Sequence, residues 1–515
     1  MADMRKLLVI IISLVVLISC DNFLDVKPAG RLIPQSGDVA SFDKLLNNVN
    51  TIDWVFQNNN RGSILPFLCD DIQISNNQAD YAWYNGHPNI DCYFGHTFKT
   101  PYANPAVQDY YWNWGFYRAA QYFNSCIDGV NSVKTPDTET AANEVIAQAT
   151  VARAWSYFNA ALGYGPVYKP GADNSAKVIP YRTSSDVLAP MEDLSTMQEV
   201  FDKVLSDIHS NMKNIPANVT ANTRFGKVQT YAFLAYIHLF TAKYDSVAYY
   251  ADQALTLAAS QKGGMDNLFY NMNNFSWADS KVATNRDTRY SSSINTSQGS
   301  DPLTATYNRE ICLYRTVASV GSSSTYPSQE FNALFDPATD LRSEYFFFEY
   351  LGYKTTVSGV VYDDGRRIQN YQTKVARTSG YTYPEILLMR AEGRARTNNV
   401  TGALADLNYL RKFRHKTGTP DLVITSKDAA IQEIVNERRR ELPMGSPKRF
   451  FDLKRFCLET GKTWCKTSIT HTVKGQPYTA NIDSKFFILP ISNDVLRWNT
   501  HWGIPLEETP WSNNK

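Results

Sequence analysis

The chain has 515 residues and a formal net charge of +1, from 51 basic and 50 acidic side chains. Such a balanced charge gives no electrostatic footprint for nucleic acid or an anionic membrane surface, so we expect neither as a direct partner. The length is ample for a substantial hydrophobic core. Aromatic residues make up 13% of the chain, including 31 tyrosines and 10 tryptophans. This exceeds what a core needs, so we expect some of these rings at the surface.

The N-terminus has the pattern of an export signal. A positively charged start and an apolar run from 7 to 18 precede Ser19 and Cys20. So short a run cannot cross about 30 Å of hydrocarbon, which predicts a secretory leader rather than a membrane-spanning helix. A small residue before a cysteine indicates lipidation of that thiol, with an ordinary signal peptide as the alternative. We assign 1–19 to a lipoprotein signal peptide and 20–40 to a lipidated tether.

Six cysteines remain after Cys20, and an even number in an exported protein permits disulfides. Cys69 with Cys92 and Cys457 with Cys465 are the local pairs that could form. The sequence does not fix the pairing, which concerns Cys69, Cys92, Cys126, Cys312, Cys457 and Cys465.

The stretch from 69 to 104 follows neither a helical nor a strand period, and Asn, Gly and Pro punctuate it, so we predict a loop. His87, Cys92 and His96 lack the close spacing of recognisable zinc ligands, and we expect no cofactor. The Asp70-Asp71 pair is adjacent in sequence, and its carboxylates would diverge in most backbones. We assign it to capping or turn chemistry rather than to catalysis.

Several segments have clear helical periodicity. In one hairpin, from 224 to 259, Ala235 precedes Val247 by twelve residues, and in a second, from 384 to 414, Ala391 precedes Ala403 by the same offset. Equal offsets between such residues predict stacked helical hairpins that cross at small side chains. Further helices are expected over about 105–129, 142–162 and 200–208, which gives a helical scaffold over about 105–260 and 384–456.

The segment from 263 to 381 is again irregular and rich in Asn, Ser, Thr and Gly. Phe346-Phe347-Phe348 predicts a short buried strand, and Asp363-Asp364-Gly365 predicts a turn. Aromatic residues in polar loops are candidates for ligand contact, because loops lie at the surface and carry function. Core or loop-anchoring roles are the alternative. The residues that we predict for ligand binding are Trp83, Tyr84, Trp277 and Tyr290.

The sequence from 427 to 456 predicts two short helices separated by a turn. Glu437, Arg438 and Glu441 flank an apolar stripe at helical spacing in the first helix. The second helix carries Arg449, Asp452 and Arg455. Since charges of both signs at helical spacing are usually ion-pair partners, we predict a locally paired structural clasp rather than an active site.

The order of these segments resembles the SusD/RagB family of surface glycan- or nutrient-binding lipoproteins. The most specific match is Glu-Arg-Arg-x-Glu-Leu at 437–442, followed by Arg-Phe-Phe-Asp-Leu-Lys-Arg at 449–455. The helix at 142–162 and Phe486 to Asp494, similar to the family's terminal strand and turn, agree with it. The resemblance implies one mostly α domain over 41–515. Tetratricopeptide-like hairpins would form its scaffold, and an irregular face with a few short strands would bind ligand.

The resemblance further implies a lipid-anchored outer-membrane protein that faces outward. It would capture oligosaccharides and deliver them to a SusC-like TonB-dependent transporter. Peptide capture and a structural transporter subunit without its own specificity are the alternatives. No nucleophile elbow, phosphate-binding loop or zinc-protease motif is present, so we expect no enzyme. The sequence does not decide which glycan binds or whether calcium assists.

Overall fold

The computed structural model describes residues 38–48, 64–81, 90–102, 104–106, 111–277, 294–295, 308–316, 326–371, 378–444 and 446–508. Predictions for Cys20, Trp83, Tyr84, His87 and Tyr290 lie outside these ranges. None of the helices within them is long and apolar enough to cross a membrane.

Helices dominate the described chain, and the predicted mostly α fold is confirmed. Each helix expected from periodicity is present, with ends that differ by a few residues. The longer helices are α1 (Tyr117–Val133), α2 (Glu139–Tyr164), α3 (Met197–Asn211), α4 (Lys227–Phe240), α5 (Tyr244–Lys262), α6 (Tyr383–Arg396), α7 (Val400–Arg414), α8 (Lys427–Glu441) and α9 (Lys448–Phe456). A π-helical turn, Tyr111–Phe116, leads into α1, and short helices lie at Val39–Leu45, Ile64–Phe67, Asn76–Asp80, Ile90–His96, Gln329–Asn332, Arg342–Tyr345 and Asn493–Leu496.

The two predicted hairpins stack on each other. Helix α5 packs against its partner α4 and also against α6, which in turn pairs with α7. The four residues of the equal-offset pattern are fully buried at these contacts, namely Ala235, Val247, Ala391 and Ala403. At Gly393 of α6 a Cβ atom would lie 2.7 Å from the Ala248 nitrogen of α5, so the two helices approach backbone to backbone. Small residues therefore set the spacing of the scaffold.

Helix α2 is the centre of the remaining bundle. It packs between α1 and α3, and its residues from 147 to 164 are all buried. Phe158 contacts rings of two other helices, with centroids 5.0 Å from Phe201 of α3 and 5.6 Å from Phe233 of α4. This helix therefore joins the N-terminal helices to the stacked hairpins in one hydrophobic core.

The strands of the described residues form two-stranded antiparallel pairs. The strand predicted at 346–348 is present as Phe347–Leu351, which confirms that expectation. The pairs are Ile72–Gln73 with Tyr326–Pro327, Lys177–Pro180 with Leu194–Thr196, Ser276–Trp277 with Ile294–Asn295, Ile311–Leu313 with Tyr381–Thr382, Phe347–Leu351 with Arg366–Tyr371, Lys354–Val357 with Val360–Asp363, and Ser468–Val473 with Gln476–Asn481.

Two predictions about local structure are wrong. The stretch from 69 to 104 is not entirely loop, because short helices form at Asn76–Asp80 and Ile90–His96; a capping box at Ser75 starts the first of them. The expected terminal strand at 486–494 is absent from the described residues there, where Lys485–Phe487 is a 3-10 turn.

The disulfides that the sequence permits are not formed, since all six cysteines after Cys20 are free thiols. The Cys69 Sγ instead contacts the Leu65 carbonyl at 3.2 Å, and Cys465 Sγ lies 3.6 Å from the Cys457 carbonyl. Burial raises the pKa of the Cys69 thiol well above its usual value, which keeps this group protonated and unreactive.

The predicted charged clasp exists, and α8 and α9 carry most of it. Glu437 is fully buried and accepts 2.8 Å hydrogen bonds from Arg342 and Arg440. Burial alone would raise the pKa of Glu437, but the two guanidinium groups outweigh it and hold this pKa below its usual range. Glu441 accepts from Arg342 and Arg414. Both carboxylates are therefore paired and structural.

The clasp is less local than predicted. Three of its pairs lie within α8 or α9, namely Arg440 with Glu437, Arg440 with Glu433 and Arg455 with Asp452. The other bonds join distant segments, including Arg438 to Glu385, Arg455 to Glu392, Arg439 to Asp71 and Arg449 to Asp70. The Asp70-Asp71 side chains are thus ion-pair acceptors rather than turn formers. The clasp ties the helical scaffold to both irregular segments.

A buried lysine of α9 provides a pH-dependent prediction. The Lys454 ammonium donates 2.7 Å hydrogen bonds to the carbonyls of Leu162 and Gly165, at the C-terminal end of α2. Burial lowers the pKa of Lys454 to about 7, whereas an unfolded lysine titrates near pH 10.4. Between these values the unfolded state holds a proton that the folded state has lost, so stability rises with pH.

Relative to Lys454→Met, the wild-type free energy of unfolding should therefore increase by up to about 4 kcal/mol between pH 7 and pH 10. Urea denaturation of both proteins at a series of pH values measures this difference. A difference in unfolding free energy that stays constant from pH 7 to pH 10 would show that burial does not lower the pKa of Lys454.

Candidate functional site

The two irregular segments, which are far apart in sequence, form one surface. The strand Ile72–Gln73 pairs with Tyr326–Pro327, and the Ser328 nitrogen donates to the Asp71 carbonyl at 2.9 Å. Beneath this contact lies a second hydrophobic cluster, separate from the scaffold core, to which both segments contribute. Its buried members include Phe67, Ile72, Cys92, Phe275, Phe331 and Tyr345.

Asp364 fixes the two segments to each other. Its carboxylate accepts hydrogen bonds from Ser75 Oγ at 2.6 Å, Asn77 Nδ2 at 2.8 Å and Tyr326 Oη at 2.9 Å. The predicted turn is present nearby, since Asp363 accepts from the Gly365 nitrogen at 2.7 Å. The prediction that both carboxylates are turn formers is therefore wrong for Asp364, which joins segments almost 300 residues apart.

A stacked tyrosine pair lies beside this junction. The rings of Tyr81 and Tyr362 are 5.2 Å apart with an interplanar angle of 27°, and both side chains are partly exposed. Tyr362 belongs to the hairpin of Lys354–Val357 and Val360–Asp363, most of whose side chains face solvent. Tyr81 comes just before the predicted ligand residues Trp83 and Tyr84 in sequence. This pair offers an accessible aromatic surface with carboxylate, hydroxyl and amide groups nearby.

Trp277 provides a second partly exposed ring. Its centroid lies 5.5 Å from that of Tyr345, whose hydroxyl donates to the Phe275 carbonyl at 2.8 Å. The short strand Ser276–Trp277 pairs with Ile294–Asn295. Trp277 and Ile294 rest on the second hydrophobic cluster, while Ser276 and Asn295 are exposed. Trp277 is therefore held by packing on one side without being sealed in the interior.

Of the four predicted ligand residues, the described chain includes Trp277 alone. It lies on the same hydrophobic cluster as the segment that contains Tyr81. The sequence did not indicate Tyr345, Tyr362 or Asp364 as residues of the candidate site. Aromatic content in a polar loop could have indicated Tyr362, but the partners of Asp364 are 287 and 289 residues away and leave no local signal.

In the described part of the chain, no group of three or more His, Cys, Asp or Glu side chains is arranged to hold a metal ion. His96 lies 3.1 Å from the Phe67 carbonyl through Nδ1, and its ring stacks on His471 with centroids 3.7 Å apart. Burial, followed by the nearby His471, lowers the pKa of His96 well below its usual value. The buried His96 ring therefore packs against His471 rather than binding a metal ion.

Comparison with known proteins gives consistent matches. A family model described as "Starch-binding associating with outer membrane" matches residues 22–239, and the "SusD family" model matches residues 265–501. The chain is also similar to the SusD-like protein P38 of Formosa agariphila, with 24% identity over 87% of this chain and 90% of that protein.

Solved structures show the same fold. A SusD superfamily protein from Bacteroides thetaiotaomicron aligns with a TM-score of 0.62 and 15% identity, over 92% of this chain and 100% of that chain. A putative sugar binding protein from Bacteroides vulgatus aligns with a TM-score of 0.61 and 13% identity, over 91% and 98% of the two chains.

The two family matches place the chain among nutrient-binding proteins rather than enzymes, in a class associated with the outer membrane. The chain belongs to the SusD/RagB family.

Proposed function

We propose that this protein captures oligosaccharides outside the cell and hands them to a SusC-like TonB-dependent transporter. In this proposal, residues 1–19 are removed as a signal peptide and the Cys20 thiol carries the lipid. Residues 20–40 then form a tether, and 41–515 form a single surface-facing domain.

The observation that carries the proposal is the exposed aromatic character of the joined irregular segments. The stacked pair of Tyr81 and Tyr362 and the ring of Trp277 are each partly accessible and each supported from one side. The C–H face of a pyranose packs on such rings, while hydroxyl, amide and carboxylate groups bind sugar hydroxyls. Exposed Ser276 and Asn295 are neighbours of the indole that provide these groups.

The clasp supports the same proposal because it restrains the proposed binding face. Arg439 and Arg449 bind Asp71 and Asp70 in the first irregular segment, and Arg342 binds Glu437 from the second. A site whose supporting residues are held rigidly loses less entropy when ligand binds. The scaffold thus has a direct role in presenting the aromatic rings.

We expect Trp277→Ala to weaken oligosaccharide binding by about tenfold or more, because it removes a stacking surface. Trp498→Ala is the matched control, since this indole is 85% exposed and belongs to neither irregular segment. Affinity electrophoresis in polysaccharide gels measures the effect, and circular dichroism verifies folding. Equal retardation of the two variants would show that Trp277 is not part of the binding site.

Peptide capture and a purely structural role are outcomes that the same experiment distinguishes. Retention by a peptide pool and not by polysaccharide would indicate the first. Binding to neither, by a folded protein, would indicate a transporter subunit without its own specificity.

A further inference from the structure

A small basic cavity lies at the end of α7, apart from the aromatic rings. It has a volume of about 170 Å³ and is lined by Arg411 and Lys412 together with residues 415–421. Pockets that hold whole small molecules usually measure about 300–1,000 Å³. This cavity therefore has room for one substituent of a ligand but not for a complete sugar ring.

The cavity wall is rigidly built. Asn273 donates to the His415 carbonyl at 2.9 Å and accepts from the Thr417 nitrogen at 2.9 Å. The Lys416 nitrogen donates to the Thr339 carbonyl at 2.9 Å. Gly418 has a φ of 89°, a backbone conformation that glycine adopts readily, and this lets the loop turn back over the cavity. The second irregular segment thus fixes this loop from two positions.

The charge around the cavity is predominantly positive. Arg411, Lys412 and Lys416 form no salt bridge with any carboxylate of the described chain. Among the described residues, the buried Nε of Arg411 has no hydrogen-bond partner. The Nη1 of Arg411 donates to His415 Nε2 at 3.1 Å. Lys412 lies over the ring of Tyr409, 5.2 Å from its centroid.

No carboxylate of the described residues forms a close ion pair with these three cations. Among these residues, Asp421 is the acid that lines the cavity. Asp336 accepts from the Ala338 nitrogen and the Thr339 hydroxyl, and Asp340 is paired with Arg342. The negative end of α7 favours cations in its last turn, which accounts for Arg411 and Lys412 but not for Lys416 beyond the helix.

We propose that this cavity binds an oxyanion substituent of the ligand, the carboxylate of a uronic acid or a sulfate ester, so that the preferred cargo is an acidic oligosaccharide. The inference rests on the proposed capture of oligosaccharides. Asn273, which holds the cavity loop, lies four residues before Trp277, so their Cα atoms are at most about 14 Å apart. In this proposal, one short oligosaccharide reaches from the indole to the cavity.

The test compares matched ligands by calorimetry. Oligogalacturonates are measured against their methyl esters, and sulfated galactan oligomers against the desulfated forms. The wild-type protein should bind one charged form about tenfold more tightly than its neutral counterpart, with the preference falling as salt rises. Lys416→Gln should remove most of that preference and bring the affinity for the charged form close to that for the neutral form. Lys134→Gln, at an exposed lysine just after α1, is the control.

The two ligand pairs distinguish carboxylate from sulfate recognition. Equal affinity for charged and neutral forms, or equal behaviour of the two lysine variants, would overturn the cavity proposal while leaving oligosaccharide capture intact. A separate titration with sodium sulfate against sodium chloride at matched ionic strength follows the methyl resonances of Thr417 and Thr419. Saturable shifts specific to sulfate, in a protein that binds no saccharide, would support the cavity and refute the proposed function.

Discussion

Replacing Glu437 with alanine should lower the free energy of unfolding by about 3–5 kcal/mol, the usual cost of removing one partner from a buried ion pair. The carboxylate is fully buried and binds Arg342 and Arg440, which are themselves buried. Without it, two guanidinium groups would remain desolvated with fewer acceptors. Since Arg342 belongs to the second irregular segment and Glu437 to α8, the loss would also loosen the proposed binding face.

Urea denaturation followed by tryptophan fluorescence measures this change. Glu344→Ala is the control, because Glu344 is exposed and lies on the same short helix as Arg342. The control should remain within about 0.5 kcal/mol of wild type, as surface substitutions usually do. A loss below 1 kcal/mol for Glu437→Ala would mean that the clasp is not needed for folding.

Replacing Gly393 with valine should destabilise the protein by about 3 kcal/mol or more, at the upper end of the overpacking range. A Cβ atom here would lie 2.7 Å from the Ala248 nitrogen and 2.9 Å from the Tyr244 carbonyl oxygen. Both atoms belong to the backbone of α5, which cannot move aside as a flexible side chain can. The substitution would therefore force α5 and α6 apart and separate the two stacked hairpins.

Ala405→Val is the matched control for this prediction. Ala405 lies on the exposed side of α7, so a valine at this position adds a β-branched side chain to the helix without a packing conflict. Its cost should be the helix propensity alone, about 0.5 kcal/mol. Thermal unfolding of both variants gives the comparison, and similar midpoints would contradict the close helix contact.

The helical scaffold could be predicted because its determinants are local. Apolar residues recur at three and four positions in each helix, and Ala235 and Ala391 identify the crossing points of the hairpins. Equal offsets of small residues predict that the hairpins stack, whereas the contact of α5 with α6 is known from the structure. The two wrong local predictions fall in segments without a strong period, where a capping box at Ser75 and tertiary packing decide the backbone.

The partners of individual polar residues could not be predicted. Asp70 and Arg449 are 379 residues apart, and Asp71 and Arg439 are 368 residues apart. Either carboxylate alone has the appearance of a turn residue, because nothing nearby in sequence indicates a buried guanidinium. The same holds for Asp364. The proposed binding face was predictable as two aromatic, polar segments, whereas the contacts that join them depend on the folded chain.

The central claim is that the joined irregular segments bind oligosaccharide through exposed aromatic rings. Calorimetric titration of the chain from Asp21 onward, with oligosaccharides and a peptide pool, tests it most directly. We expect saturable binding to at least one oligosaccharide class, weakened by Trp277→Ala and unchanged by Trp498→Ala. Saturable binding to peptides with no oligosaccharide binding at all would contradict it.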